Sequence, residues 1–294
     1  MEFYILSTFL IILVCYLISR KRPKVVSEII HYPIKSCAGI NLSRGEVSDL
    51  GLKNDREWAI TDQDQNIVTL REDPRLYRLQ PKLESDHLVL TYPGFPDFKV
   101  PLNTSPTEEF QVEFGKASGQ AVDAGASSWL SRVFGKPYKL VRITQHRQMN
   151  QVKNQAPGIS DNVKLNFPDK SQVLVVSQES YQELSKHLPE SVPFSNFRPN
   201  IVVKNCQPFE EDHWKTFEIN GVVFEGVELC CRCLTTTVNP SSLTLNKEEP
   251  LKTLRKLHGK GAKAYFGLLA VRKNNGFISA QDTVKVLSKE PRSI

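Results

Sequence analysis

The sequence predicts a β-rich α+β protein, a two-domain body preceded by a single transmembrane helix. Apolar and β-branched residues alternate with period two through most of the chain from Val25 onward. Helical signals are few, and residues 3–19 (FYILSTFLIILVCYLIS) carry no charge. At 294 residues the chain is long enough for two modest domains, each with its own core. The formal charge of +6 suits an anionic ligand or an acidic protein partner. No Lys/Arg run with interleaved aromatics occurs in the body, which argues against nucleic acid.

Taken in order, the apolar N-terminal run sits at the short end of the ~17–25 residues that cross a bilayer. Arg20, Lys21, Arg22 and Lys24 follow it directly. Basic residues after the run, rather than before it, argue against a cleaved signal peptide. The positive-inside rule keeps them and the whole body on the cytosolic side. The outer mitochondrial membrane and the endoplasmic reticulum both accommodate such an anchor. Strands are expected at VVSEIIHYP, EWAITD, NIVTL, HLVLTY, FQVEF, YKLVRIT, VLVVS, NIVV, VVFEGVEL and TVKVLS. Helices are expected over residues 126–134, after Ser177 in an N-cap position, and over residues 251–257 after Pro250. The polar, aperiodic residues 145–162 mark a domain boundary or a long loop.

The cysteines do not form a disulfide scaffold, and Cys230, Cys231 and Cys233 stand too close to pair without strain. A reducing compartment follows. Cys15, Cys37 and Cys206 stand alone and read as buried small hydrophobes. If residues 227–233 form a strand, Cys231 and Cys233 share one face, while Cys230 and Arg232 share the other. Three readings fit the cluster: buried sulfur packing, structural zinc, or a single reactive or metal-ligating thiolate. Zinc is disfavoured by the C-C-x-C spacing and by the distance in sequence to His213. Thr235, Thr236 and Thr237 at the end of that strand offer hydroxyl donors to an anion. Lys35 and Ser36 in YPIKSCAG and Arg198 in NFRPNIVV place cations at strand boundaries, and Arg56 and Arg71 add to them. Asp55, Glu72 and Asp73 read as local ion-pair partners.

Together YPIKSCAG, GLKNDREWAITD, NFRPNIVV and CRCLTTTVNP, in this order behind an anchor, resemble the MOSC-domain family, specifically its amidoxime-reducing branch. The likeness implies a MOSC N-terminal β-barrel domain over residues 25–145 and a MOSC β-barrel domain over residues 146–294, with residues 1–24 as membrane anchor and basic flank. It implies a molybdenum–molybdopterin enzyme of the outer mitochondrial membrane that reduces N-hydroxylated compounds. Electrons would come from NADH through cytochrome b5 reductase and cytochrome b5. Cys233 matches the molybdenum ligand; Lys35, Ser36, Arg56, Arg198, Asn200 and Arg232 match cofactor-binding positions. The likeness also implies Thr235 and Thr236 as cofactor donors, and Ser177 as a contact to the cofactor phosphate at a helix N-terminus. Asn239 departs from the family pattern, which has aspartate there and a glycine shortly after. The alternatives are a sulfur-carrier or cofactor-handling MOSC protein with a persulfide on Cys233 or Cys231, and a tethered binding module without catalysis.

Overall fold

The computed structural model describes residues 22–103, 109–112, 117–149 and 163–292. Its centre is a sheet in the order Ile40–Leu42, Val25–His31, Ile201–Lys204, Val173–Ser177, Lys263–Arg272, Val222–Cys231, Trp214–Ile219 and Val284–Lys289. Neighbours run antiparallel except Val173–Ser177 and Ile201–Lys204, whose parallel pairing places Val175 opposite Ile201 and Ser177 opposite Val203. A parallel pair needs a crossover. The helix Gln178–His187 lies within it. Val25–His31 pairs with Ile201–Lys204, and Arg44–Ser48 pairs with Gly276–Ser279, so the start of the body is built into the sheets of its C-terminal half.

Residues between these strands form a second unit. Trp58–Thr61, Lys139–Gln145, Ala117–Ala121 and Glu109–Val112 make a four-stranded sheet, and Gln80–Leu83, His87–Thr91 and Phe98–Pro101 a three-stranded one. The helix Ala124–Phe134 closes this unit with Ala126, Trp129, Leu130 and Phe134. They pack against Ile34, Trp58, Leu76, Leu88 and Leu140. Asp123 caps the helix by accepting from the Ala126 amide at 2.6 Å, and Gly135 ends it at φ 61°. The main sheet buries its own set, including Ile29, Val175, Trp214, Phe217, Phe224 and Leu268. All three expected helices are present, the last as Leu251–His258.

One part of the expected architecture is corrected. Among the described residues no helix is long and apolar enough to cross a membrane. The longest, Ala124–Phe134, has 11 residues and would reach only ~16 Å against a hydrocarbon core of ~30 Å. The run at residues 3–19 that motivated the transmembrane expectation lies outside the described residues, as does Cys15. Most of the expected boundary at residues 145–162 also lies outside them.

Candidate functional site

Pro33 cannot donate to a ladder, so the chain leaves the sheet after Val25–His31 and turns through Lys35 and Ser36. The turn is tied to the second unit by the Lys35 amide donating to Trp58 O at 2.8 Å and the Trp58 amide to Pro33 O at 3.0 Å. Ser36 takes φ 68°, Arg56 φ 47° and Arg198 φ 54°, three non-glycine residues in the left-handed region at one place. Such strain gathers where a site requires it.

Asp55 joins three of the quoted motifs. It is 2% exposed and accepts from the Tyr32 amide at 2.8 Å, Arg56 Nη1 at 2.5 Å and Asn200 Nδ2 at 3.1 Å. Asn200 Oδ1 accepts from Arg56 Nη1 at 3.0 Å, and its Nδ2 also donates to Ile30 O at 3.1 Å. Its amide group therefore fixes Arg56 rather than reaching outward. Tyr32 is buried, with the Arg56 Cζ 4.3 Å and the Arg198 Cζ 4.2 Å from its ring centroid. Burial pushes its phenol up to about 12, and its hydroxyl donates to Pro199 O at 3.1 Å.

Buried Lys35 donates to Phe167 O at 2.9 Å and forms an ion pair with Asp169, whose side chain is 64% exposed. The Lys35 ammonium holds the Asp169 carboxyl down at about 2. The loop carrying Asp169 is held by Asn166 Nδ2 donating to Asp55 O, the Phe167 amide to Arg56 O, and buried Arg147 donating to Asn166 O and Pro168 O. Arg71 lies 3.8 Å from Glu72 and also helps to hold the Asp169 carboxyl down, and Asp73 caps the turn Pro74–Arg78 while pairing with Arg75.

The cysteine segment differs from the expected strand. Val222–Cys231 ends at Cys231, after a register shift between Leu229 and Cys231. Cys233 instead caps the 3-10 turn Leu234–Thr237, with extended backbone at φ −125°. Cys231 and Cys233 are therefore not neighbours on one strand face. The three thiols also differ in environment. Cys230 packs into a core with Phe197, Leu254 and Phe266, and accepts from Arg232 Nη1 at 2.8 Å. Burial raises its pKa, and Arg232 opposes that shift. Cys231 is half-buried, and Cys233 is exposed with its sulfur 3.1 Å from Thr235 Oγ1. Thr236 and Thr237 are turned inward, their hydroxyls donating to Cys233 O at 2.9 Å and Leu234 O at 2.8 Å. Asn196 Nδ2 donates to Thr236 O at 3.0 Å and Val238 O at 2.7 Å, tying this turn to the one before Arg198.

Lys35, Ser36, Arg56, Arg198, Asn200, Arg232, Cys233 and Thr235 thus lie on one connected set of turns. Arg198 Nη1 donates to Cys37 O at 2.7 Å, and Arg232 Nη2 to Phe197 O at 2.8 Å. The cations Lys35, Arg56, Arg198 and Arg232 are met by Asp55 and Asp169. Arg198 Nη2 and Arg232 Nε are buried and have no partner. Burial, opposed by Tyr32 and reinforced by Arg56, disfavours the charged form of Arg198. Buried donors without acceptors beside a cationic excess call for an anion. Cys37 and Cys206 are buried thiols whose pKa burial raises, Cys37 to about 12, consistent with packing roles.

Ser177 lies level with Val203, along the strand pair and away from Asn200 at the start of Ile201–Lys204. It is fully buried and caps Gln178–His187, its Oγ accepting from the Ser180 amide at 3.1 Å. The acceptor at this helix end is the protein's own Glu211 carboxyl. Its Oε1 accepts from the Ser177 amide and from Ser180 Oγ, each at 2.8 Å. Burial, then Asp212, pushes the Glu211 carboxyl up to about 7 from an ordinary 4.5. Between those values the unfolded chain ionises Glu211 while the folded protein keeps its proton. Stability is therefore fully present below pH 4.5 and falls as pH rises through about 7, by on the order of 2–3 kcal/mol. Urea unfolding at pH 5 and pH 8 should show this loss in wild type and a flatter profile in Glu211→Gln.

Asn239 Oδ1 accepts from the amides of Ser241 at 2.9 Å and Ser242 at 3.0 Å. The side chain thus closes an Asx turn, a role aspartate performs equally well. Asn239→Asp should leave the melting temperature nearly unchanged, whereas Asn239→Ala should lose about 1 kcal/mol in urea unfolding.

Residues 24–137 match the MOSC N-terminal beta barrel domain, and residues 162–285 match the MOSC domain. The chain belongs to the MOSC-domain family. Among its relatives, Mitochondrial amidoxime-reducing component 1 of Homo sapiens is 30% identical, over 90% of this chain and 83% of that protein. Mitochondrial amidoxime reducing component 2 of Bos taurus is 32% identical over 78% of this chain and 71% of its own length. Mitochondrial amidoxime-reducing component 1 of Xenopus laevis is 32% identical over 79% and 70%.

Sequence reading missed Tyr32, Asn166, Asp169 and Asn196, and it took Asp55 for a local ion pair. Tyr32 reads as one more apolar strand residue, and Asn196 opens the NFRPNIVV motif without a charge to mark it. Only the proximity of Asp55 to Arg56 in NDREW carried a signal.

Proposed function

We propose that this protein is a molybdenum-cofactor oxidoreductase that reduces N-hydroxylated compounds such as amidoximes and hydroxylamines. The observation that carries this reading is the cationic set of turns with two unpartnered buried guanidinium N–H groups, ending at the exposed sulfur of Cys233. Its relatives are named for amidoxime reduction, and molybdopterin, a phosphorylated dithiolene, is the kind of polyanion that such donors fit. When bound, molybdenum with its pterin supplies the two-electron reduction of the N–O bond.

The chain's own residues hold and orient. Lys35, Arg56, Arg198 and Arg232 compensate anionic charge, and the strained Ser36 turn presents its hydroxyl and backbone beside them. Asn200 and Asp55 fix the direction of Arg56. Cys233 supplies one thiolate to the metal, and the Thr235 hydroxyl holds its sulfur. Thr236 contributes by tightening the turn, and Ser177 by capping the helix next to the central sheet. Among the described residues no cluster of three or more His, Cys, Asp or Glu could hold a metal ion, so the remaining ligands would come from the cofactor.

Net reduction of R–NHOH consumes two electrons and two protons and yields R–NH2 and water. One-electron delivery by cytochrome b5, reset by NADH through its reductase, fits a protein of net charge +6 facing an acidic carrier. The relatives' names and the free thiols support a mitochondrial location, with the body on the cytosolic face of the outer membrane. The test is NADH oxidation driven by benzamidoxime with purified protein, cytochrome b5 and its reductase. Turnover should require all three proteins; a molybdenum-loaded preparation inert towards benzamidoxime sinks the proposal.

A further inference from the structure

We propose that Tyr32 is the positioning residue for the anion-binding arginines, and that Gly39 lacks a side chain in order to seat its ring. This rests on the reading of these turns as an anion site, and it assigns a role to residues outside the binding set. Arg56 and Arg198 are like charges brought to one ring, and among the described residues only Arg56 has a carboxylate partner, Asp55. Their guanidinium carbons lie 4.3 and 4.2 Å from the Tyr32 ring centroid. The negative face of the ring attracts each cation and offsets their repulsion before any ligand arrives.

Tyr32 is built to be immobile. Its amide donates to Asp55, its carbonyl accepts from the Arg56 amide at 2.7 Å, and its hydroxyl donates to Pro199 O. It is thereby pinned to both segments that carry the arginines. A Cβ added at Gly39 would lie 2.6 Å from Tyr32 Cε1 and 2.6 Å from Ile30 Cγ2, closer than real contacts allow. Any larger residue at position 39 must push the ring, and the arginines with it.

The test uses cofactor-free full-length protein titrated with inorganic phosphate by calorimetry at low and high salt. Wild type and Tyr32→Phe, which keeps the ring, should bind nearly alike. Tyr32→Leu should weaken binding on the order of 10- to 100-fold and flatten its salt dependence, because the cations no longer converge. Gly39→Ala, which keeps the Tyr32 side chain but displaces its ring, should fall between them and serves if Tyr32→Leu does not fold. A merely structural role would give Phe and Leu the same loss or leave the salt slope intact. Either result, or phosphate binding by Gly39→Ala at the wild-type level, overturns the assignment. So does wild-type protein that binds no phosphate. Ring-dependent phosphate binding by a protein that never carries molybdenum supports the Tyr32 role while sinking the reductase reading.

Discussion

Cys233→Ala is expected to lose molybdenum and to lower benzamidoxime reduction by at least two orders of magnitude, since even residues that only support a metal ligand cost on the order of 10- to 100-fold. The structure separates the three clustered thiols by environment. Cys233 alone is exposed, beyond the strand end and beside Thr235, whereas Cys230 is packed against Phe197, Leu254 and Phe266 and engaged by Arg232. Cys231→Ser is the matched control and should keep most of the metal. Metal analysis and steady-state rates on the two variants decide the assignment. Unchanged turnover in Cys233→Ala, or loss confined to Cys231→Ser, would show that the wrong sulfur has been chosen.

Asp55→Ala is expected to destabilise the cofactor-free protein by about 3–5 kcal/mol, the cost of breaking a buried charged pair by removing one partner. Asp55 accepts from Tyr32, Arg56 and Asn200 at 2% exposure, so its loss strands two amide donors and a cation in one place. Asp55→Asn retains one carbonyl oxygen and should lose less. Urea unfolding measures the difference, and a change below about 1 kcal/mol would mean that Asp55 is a peripheral ion pair. Asp55→Ala should also load less cofactor, because Arg56 would lose the direct bond to Asp55 and a firmly held Asn200.

Short apolar, β-branched runs such as VLVVS and NIVV are enough to place strands, because central strands buried on both faces read as continuous apolar segments. Ser177 and Pro250 likewise announce helix starts through local chemistry. The same logic misleads at VELCCRCLTTT, whose β-branched run looks like continued strand. There the register shifts between Leu229 and Cys231, the strand stops at Cys231, and the threonine hydroxyls bond back to their own turn. The helix end at Ser177 shows a second limit. A local reading finds the cap, but the acceptor that satisfies the Ser177 amide comes from Glu211, 34 residues away in sequence. Tyr32, Asp169 and Asn196 were invisible for a similar reason, since their roles depend on which distant turns the sheets bring together. Lys35, Arg56, Arg198 and Arg232 were legible because short motifs carry them, and their convergence required the fold.

The central claim is tested most directly by molybdenum and pterin analysis of the purified wild-type protein. The account predicts about one molybdenum and one pterin per chain, released when Cys233 is replaced. Protein free of molybdenum that carries cyanolysable sulfur on a cysteine would contradict it and mark the chain as a sulfur carrier instead.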